Sequence, residues 1–225
     1  MDLPLMAAKA YKYKAELLVK DYLLADSGMS TVHAIFITLM SAYLVFFSGL
    51  FSDQQDGPVT FRSSSLSNFT LGVSVGYFIA DLAMILWFYP SLGGMEYLVH
   101  HVLSLTAVTY TMLSGEGQLY TYMSLISETT TPGINLRWFL DVAGMKRSKR
   151  YVVNGVAMFL TWLVARIILF MYLFYQIFLH YDQIKQMETF GYLLVCVVPA
   201  ILFVMNMIWF SKILRGLKKT LAKRH

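Results

Sequence analysis

The chain has 225 residues, 57% of them hydrophobic and only 14% charged, with a formal net charge of +5 and a mean hydropathy of +0.58. A soluble domain carries about a quarter charged residues, so this composition excludes an ordinary water-soluble globule. The basic excess does not point to nucleic acid, because Lys and Arg flank long apolar stretches, where membrane topology accounts for them. The single cysteine, Cys196, excludes an intramolecular disulfide and says nothing of redox compartment.

In chain order, residues 1–29 form a polar, mixed-charge segment in which "KAYKYKAELLVKDYLLADSG" (9–28) is too polar to cross a bilayer. It is expected on the cytosolic membrane surface. No apolar h-region precedes "GMSTVHAIFITLM", so no cleavable leader is expected. A membrane helix needs about 20 apolar residues. Six stretches qualify as candidate spans: 31–51, 69–89, 97–113, 118–140, 151–179 and 189–212. The third is short and needs protein neighbours; the fifth is long and should tilt or emerge. No linker divides the chain, so one transmembrane domain over 30–215 is expected, followed by a basic cytosolic tail, 216–225.

The distribution of cations orients this arrangement. One side receives the N-terminal lysines Lys9, Lys12, Lys14 and Lys20, the loop "MKRSKR" (145–150) and the tail from Lys212 to Arg224. That side holds fourteen Lys and Arg residues against two, Arg62 and Lys185, on the other, with Arg137 and Arg166 inside spans. The positive-inside rule then places both termini in the cytosol. Asn68-Phe69-Thr70 is a glycosylation sequon at the mouth of the second span and is expected to be unused.

Ionisable groups inside spans are costly, face the bundle interior and mark candidate sites. In the second span, Thr70, Ser74, Tyr77 and Asp81 form a polar stripe at helical spacing, beside a small-residue stripe of Gly72, Gly76, Ala80 and Ala83 suited to close packing. The third span carries adjacent histidines, His100 and His101, with Ser104 one turn beyond His100 and Thr111 further along that side. Neighbouring helical positions point about 100° apart. One imidazole can therefore look into the bundle while the other meets a neighbouring helix. A contact with Asp81 would orient one ring and raise its basicity, which prepares a general base and equally satisfies a structural histidine.

The fourth span is the most polar: Ser124, Ser127, Glu128, Thr131 and Asn135 share one helical face. Pro132 removes the N–H that would bond the Glu128 carbonyl, so a kink or broken turn is expected. Such backbone is tolerated at membrane depth only where it is buried in protein or lines a wet cavity, which favours a cavity at Glu128–Asn135. Arg166, deep in the fifth span, is the expected counter-charge for Glu128 or Asp81, while Arg137 is expected to snorkel to the cytosolic face. Adjacent histidines lack the i, i+4 spacing of helical metal ligands, so no metal site is expected, with His33 the remaining imidazole nearby. His180 and His225 are read as solvated. No phosphate loop, dinucleotide fingerprint or serine elbow is present.

The order "STVHA" (30–34), "GYFIADL" (76–82), "EYLVHHVLSL" (96–105) and "SETTTPGINLRWFL" (127–140) resembles the TLC-domain family, which includes ceramide synthases and the translocating-chain-associating membrane protein. The similarity is nearest to its uncharacterised TLC-domain-containing branch. It implies an all-α membrane bundle in the endoplasmic reticulum or another endomembrane, handling a lipid or fatty-acyl group in membrane lipid homeostasis. The implied partners are membrane lipids, with room for a homo-oligomer and with protein partners undefined. Acyl-CoA would be substrate, not a resident cofactor, if the chain were an acyltransferase.

In ceramide synthases the double histidine and a downstream His-Asp and Asp form the acyltransferase site. His100 and His101 match the double histidine, with Asp81 to orient them. Ser127-Glu128 stands where His-Asp is expected, and Thr131 where the later Asp falls. That departure favours a lipid-handling protein over a sphingoid N-acyltransferase, with Tyr77, Ser104, Ser127, Glu128, Thr131, Asn135 and Arg166 lining the cavity. A cargo receptor or chaperone of the endoplasmic reticulum is the third alternative. The family also commonly has another span before the "STVHA" helix.

Overall fold

In a computed structural model the described backbone covers residues 3–52, 54–92 and 94–222, with side chains from residue 21 onward. The side chains of Lys9, Lys12, Lys14 and Lys20, together with Lys223, Arg224 and His225, lie outside the described residues. Helix α1 (Leu3–Phe46) has 44 residues, about 66 Å at 1.5 Å per residue, roughly twice the hydrocarbon thickness of a bilayer. The boundary expected near residue 29 falls inside this helix without a backbone break. Around Gly28 the hydroxyls of Ser30 and Thr31 turn back onto the Ser27 carbonyl, at 3.3 and 2.6 Å, and the helix runs on.

Helix α2 (Ser65–Trp87) starts from a reciprocal capping box between Ser64 and Ser67. Its polar stripe points inward: Thr70, Ser74 and Asp81 are buried. Of the small stripe expected to pack closely, only Gly72 does so, half-buried with Met112 Sδ 3.6 Å from where a Cβ would lie, while Gly76, Ala80 and Ala83 point outward and are exposed. The two stripes compete for one inward face. Hydroxyls and a carboxylate have no partners in lipid, so they take it.

Helix α3 (Met95–Ser114) carries the histidine pair and ends at Gly115, whose φ of 76° is left-handed. The expected fourth span is then broken into α4 (Gln118–Leu125), a 3₁₀ turn (Ile126–Thr130) and α5 (Thr131–Val142), with Pro132 in the first turn of α5. Proline tolerates that position because the first N–H groups of a helix lack intrahelical partners. The Glu128 carbonyl, deprived of its usual partner, accepts the N–H of Thr131 instead. The expected kink is thus a tightened turn ahead of the proline.

The fifth span is likewise interrupted: α6 (Lys149–Trp162), a π turn (Leu163–Ile168) containing Arg166, and α7 (Leu169–Leu179). A short α8 (Tyr181–Ile184) leads to α9 (Thr189–Ala222), which holds Pro199 in its interior. No strand occurs among the described residues. Among the described residues, four helical stretches are long and apolar enough to cross a membrane: Asp21–Phe46, Ser65–Trp87, Lys149–Leu179 and Thr189–Ala222. The other two expected spans correspond to α3 and to α4–α5, the segments that carry the polar groups.

Contacts between elements show that the rods alternate in direction. At one end, Thr60 meets Tyr120 (3.0 Å) and Gln183 (3.3 Å), and the Gly117 N–H donates to the Thr60 carbonyl (2.7 Å). His180, expected to be solvated, is packed here against Tyr120 with ring centroids 6.3 Å apart. At the other end, Asn135 grips α1 at Ser27 (2.9 Å) and Lys212 reaches Glu96 (3.3 Å). The basic loop 145–150 and the α9 tail belong to this second end.

Helix α4 is the axis of the bundle. Tyr120 and Met123 enter an apolar cluster with Phe170, Leu173, Val195 and Leu202 of α7 and α9. Tyr122 and Leu125 enter another with Ile37, Leu44, Leu71, Phe78 and Val108 of α1, α2 and α3. Both clusters lie in the half remote from the basic end, which also holds a pocket of about 360 Å³ bordered by Phe51, Met123 and His180. The basic half has a hollow of its own.

Gly117 sets the entry to α4, with φ +71° and with Val195 Cγ2 and Met187 Cε only 3.1 and 3.3 Å from where a Cβ would lie. Gly117→Ala is expected to cost about 1–2 kcal/mol from backbone alone and to lower the unfolding temperature in detergent. Gly76→Ala, with nothing within 4 Å, is expected to be neutral or to stabilise by up to about 1 kcal/mol.

Candidate functional site

Two polar clusters project into the hollow of the basic half. In the first, His101 of α3 places Nε2 2.5 Å from Asp81 Oδ2 of α2. Its Nδ1–H donates to the Tyr97 carbonyl at 2.9 Å. A carbonyl only accepts, so Nδ1 is the donor there, and the remaining proton lies between Nε2 and the carboxyl. Both ring nitrogens are therefore committed. Tyr77 donates to the other Asp81 oxygen at 3.3 Å and stacks on His33 with ring centroids 3.8 Å apart. His33 in turn bonds Ser74 at 3.1 Å. The polar stripe on α2 is thus fully engaged, with one histidine from α1 and one from α3.

The second cluster joins the two interrupted spans. Arg166, held in the π turn, uses all three nitrogens. Nε donates to Thr130 Oγ1 (2.9 Å), one Nη to Asn206 Oδ1 (3.2 Å), and the other to Glu128 Oε1 (3.3 Å). The guanidinium plane lies over Trp162, 4.7 Å from its ring centroid. Glu128 takes a further bond from the Thr131 hydroxyl at 2.7 Å. Of the two expected counter-charges for Arg166, the geometry selects Glu128.

These clusters border a cavity of about 300 Å³ lined by Asp26, Tyr77, Asp81, His100, His101, Glu128, Thr131, Asn135, Trp162, Arg166, Trp209 and Lys212 among others. A second cavity of about 50 Å³ continues toward the opposite end, past Ser104, Ser124, Ser127, Val198 and Leu202 to Tyr110 and Glu116. Phe78, His100 and Glu128 line both and form the waist between them. The 3₁₀ turn therefore divides the predicted polar face. Ser127 and Ser104 look into the smaller space, whereas Tyr77, Thr131 and Asn135 look into the larger.

The two histidines are not equivalent. His101 is locked between Asp81 and Tyr97, whereas His100 lines both cavities and its buried Nδ1 has no hydrogen-bond partner. An unmet buried polar atom costs about 1–3 kcal/mol. Of this pair, His100 is the imidazole with binding capacity to spare; the Nδ1 of His33 is likewise unmatched.

A family model for the TLC domain matches residues 24–215. The chain belongs to the TLC-domain family. Among its relatives are TLC domain-containing protein 4-B of Xenopus laevis, 27% identical over 202 residues (87% of this chain, 74% of that protein). Human TLC domain-containing protein 4 is 27% identical over 201 residues (86% and 73%). Topoisomerase I damage affected protein 4 of Saccharomyces cerevisiae is 29% identical over 170 residues (72% and 59%). No solved structure matches. With its apolar helices, this TLC-domain chain is an integral membrane helix bundle.

Sequence reasoning missed several members of this site. Asp26 of α1 lines the same wall as Asp81 and interacts with it, but it lies in the stretch read as surface segment. Asn206, 1% exposed and bonded to Arg166, is a lone amide in an apolar span, and that isolation was the available signal. Thr130 and Trp162 could be found only once Arg166 had a position. Among the described residues, no three His, Cys, Asp or Glu side chains converge as metal ligands. At the mouth, the Glu96 carboxyl is held below the usual range by its own backbone N–H and the Lys212 ammonium.

Glu128→Leu or Arg166→Leu alone leaves a buried charge without its partner, at a cost of about 3–5 kcal/mol. The double variant is expected to lose less than the sum of the two, read as unfolding temperature in detergent through a double-mutant cycle.

Proposed function

We propose that this TLC-domain bundle binds a lipid or fatty-acyl group in the cavity of its basic half and so acts in membrane lipid homeostasis. The observation that carries this reading is the amphipathic cavity of about 300 Å³ placed between apolar spans, in which Phe78, Ile85, Leu92, Ile134, Trp162 and Trp209 face a convergent set of polar and charged groups. Six spans with the basic end cytosolic accord with the alternating rods and the charge asymmetry. An endomembrane location, the endoplasmic reticulum foremost, follows the resemblance to ceramide synthases. Within the cavity, Tyr77, Thr131 and the free capacity of His100 would meet the polar part of the ligand, and the smaller cavity beyond the waist would take apolar chain.

The unpartnered His100 Nδ1 favours acyl transfer as a second reading. There His100 would accept the proton of a hydroxyl or amine as it attacks the thioester carbonyl of acyl-CoA, and return it to the CoA thiolate that leaves when the C–S bond breaks. In that reading the Asp81–His101 pair is a positioning element, because both of its ring nitrogens are already bonded.

Native mass spectrometry of the purified protein tests the first reading. Wild type is expected to carry bound lipid, and Ile134→Trp, which fills the cavity from α5 without touching either polar cluster, is expected to lose it while remaining folded. A lipid-free wild type would refute it. For the second reading, acyl-CoA turnover should vanish in His100→Ala and fall less in His101→Ala; the reverse order would exclude His100 as the base.

A further inference from the structure

Beside the main cavity lies a separate pocket of about 230 Å³ lined by Arg137, Gly155, Met158, Lys212, Ile213, Gly216 and Leu217. It shares Met158, Lys212 and Ile213 with the main cavity, so the two spaces adjoin along α6 and α9. We propose that this pocket seats the phosphate of a membrane phospholipid, between Arg137 and Lys212, while an acyl chain of the same molecule enters the adjoining cavity. This rests on the lipid-binding reading and adds the headgroup that would be recognised.

Four features of the pocket support it. Arg137 makes no ion pair or hydrogen bond among the described residues; its guanidinium lies over the Tyr151 ring, 4.1 Å from the centroid, which leaves its N–H edge free for an anion. Among the described residues, Lys212 is paired only with Glu96, at 3.3 Å, with the two side chains 54% and 44% exposed. Ion pairs of that kind contribute little and exchange readily. The floor is glycine. A Cβ at Gly155 would lie 2.9 Å from an Arg137 Nη, and nothing lies within 4 Å of where a Cβ on Gly216 would be. The missing side chains let the guanidinium lie on the α6 backbone and keep the space above α9 open.

Position supplies the occupant. The pocket opens at the bundle end that carries Lys146, Arg147, Lys149 and Arg150, and α9 continues there with Arg215, Lys218 and Lys219. Basic pockets between spans on that side of a membrane attract anionic headgroups. Met158, Ile213 and Leu217 make the remaining wall of the pocket apolar. A ligand arriving laterally, with charge at the interface and chain in the hydrocarbon, matches that layout better than one arriving from water.

The test compares binding of phosphatidic acid, the corresponding diacylglycerol and palmitoyl-CoA to the purified full chain in nanodiscs of uncharged lipid, by native mass spectrometry. Wild type is expected to prefer phosphatidic acid over diacylglycerol by about tenfold or more, a preference weakened by salt. Arg137→Gln with Lys212→Gln should abolish the preference, phosphatidic acid then binding no better than diacylglycerol. Gly216→Leu, which fills the open floor without removing a charge, should do the same and guards against a general loss of folding. Retention of the preference in both variants overturns the proposal, as does selective binding of palmitoyl-CoA with phosphatidic acid no better than diacylglycerol. Failure of the cavity reading is distinct: there, Ile134→Trp would leave diacylglycerol binding unchanged.

Discussion

The Glu128–Arg166 pair organises the membrane interior of this protein. Each charge sits on backbone that is not α-helical, one on a 3₁₀ turn and one on a π turn, and each turn faces the other. Regular helix satisfies its own N–H and C=O groups, and irregular backbone at membrane depth survives only when protein covers it. Here α4 brings the 3₁₀ turn to the bundle axis, and the π turn swings Arg166 toward it. Thr130, Thr131, Asn206 and Trp162 then occupy what remains of the two charged groups' bonding capacity. The ion pair and the broken helices are therefore one feature: neither charge would meet its partner if both spans were straight.

From this centre the two halves of the bundle diverge. On one side α4 is packed on two faces, with Tyr120 in one apolar cluster and Tyr122 in the other. On the other side the polar groups hold helices apart as well as together. Asp81 is bonded to His101 and Tyr77, and Asn135 bridges three oxygens on α1, so the wall of the cavity is rigid where it is polar. His100, at the waist, is left with an unmet nitrogen because its neighbour has taken the carboxylate.

Much of this was legible in the sequence, for identifiable reasons. Hydropathy located the membrane helices, since a run of twenty apolar residues has few other uses. The polar residues of the second, third and fourth spans were identifiable because each is expensive in lipid. The pairing of His101 with Asp81 and of Arg166 with Glu128 was foreseen as chemistry, though not which histidine or which carboxylate. What escaped depends on three-dimensional register. The stripe Gly76, Ala80 and Ala83 looked like a packing face but turned outward, because a helix has only one inward side and the hydroxyls needed it. Asp26 was hidden by its place in a polar stretch that continues as helix.

The π turn at Leu163–Ile168 has a consequence for comparing this chain with its relatives. A π turn accommodates one residue more than an α turn would, so the inward-facing positions of α7 are displaced by one, about 100° on a helical wheel, from those that α6 would extrapolate. The wider turn absorbs that residue, and the helix on either side keeps its direction. A relative lacking it would present the same side chains to the bundle axis on both sides of a one-residue gap. Aligned without the gap, every position of α7 would be matched to one that faces elsewhere, so in this helix a gap preserves partners and its omission loses them.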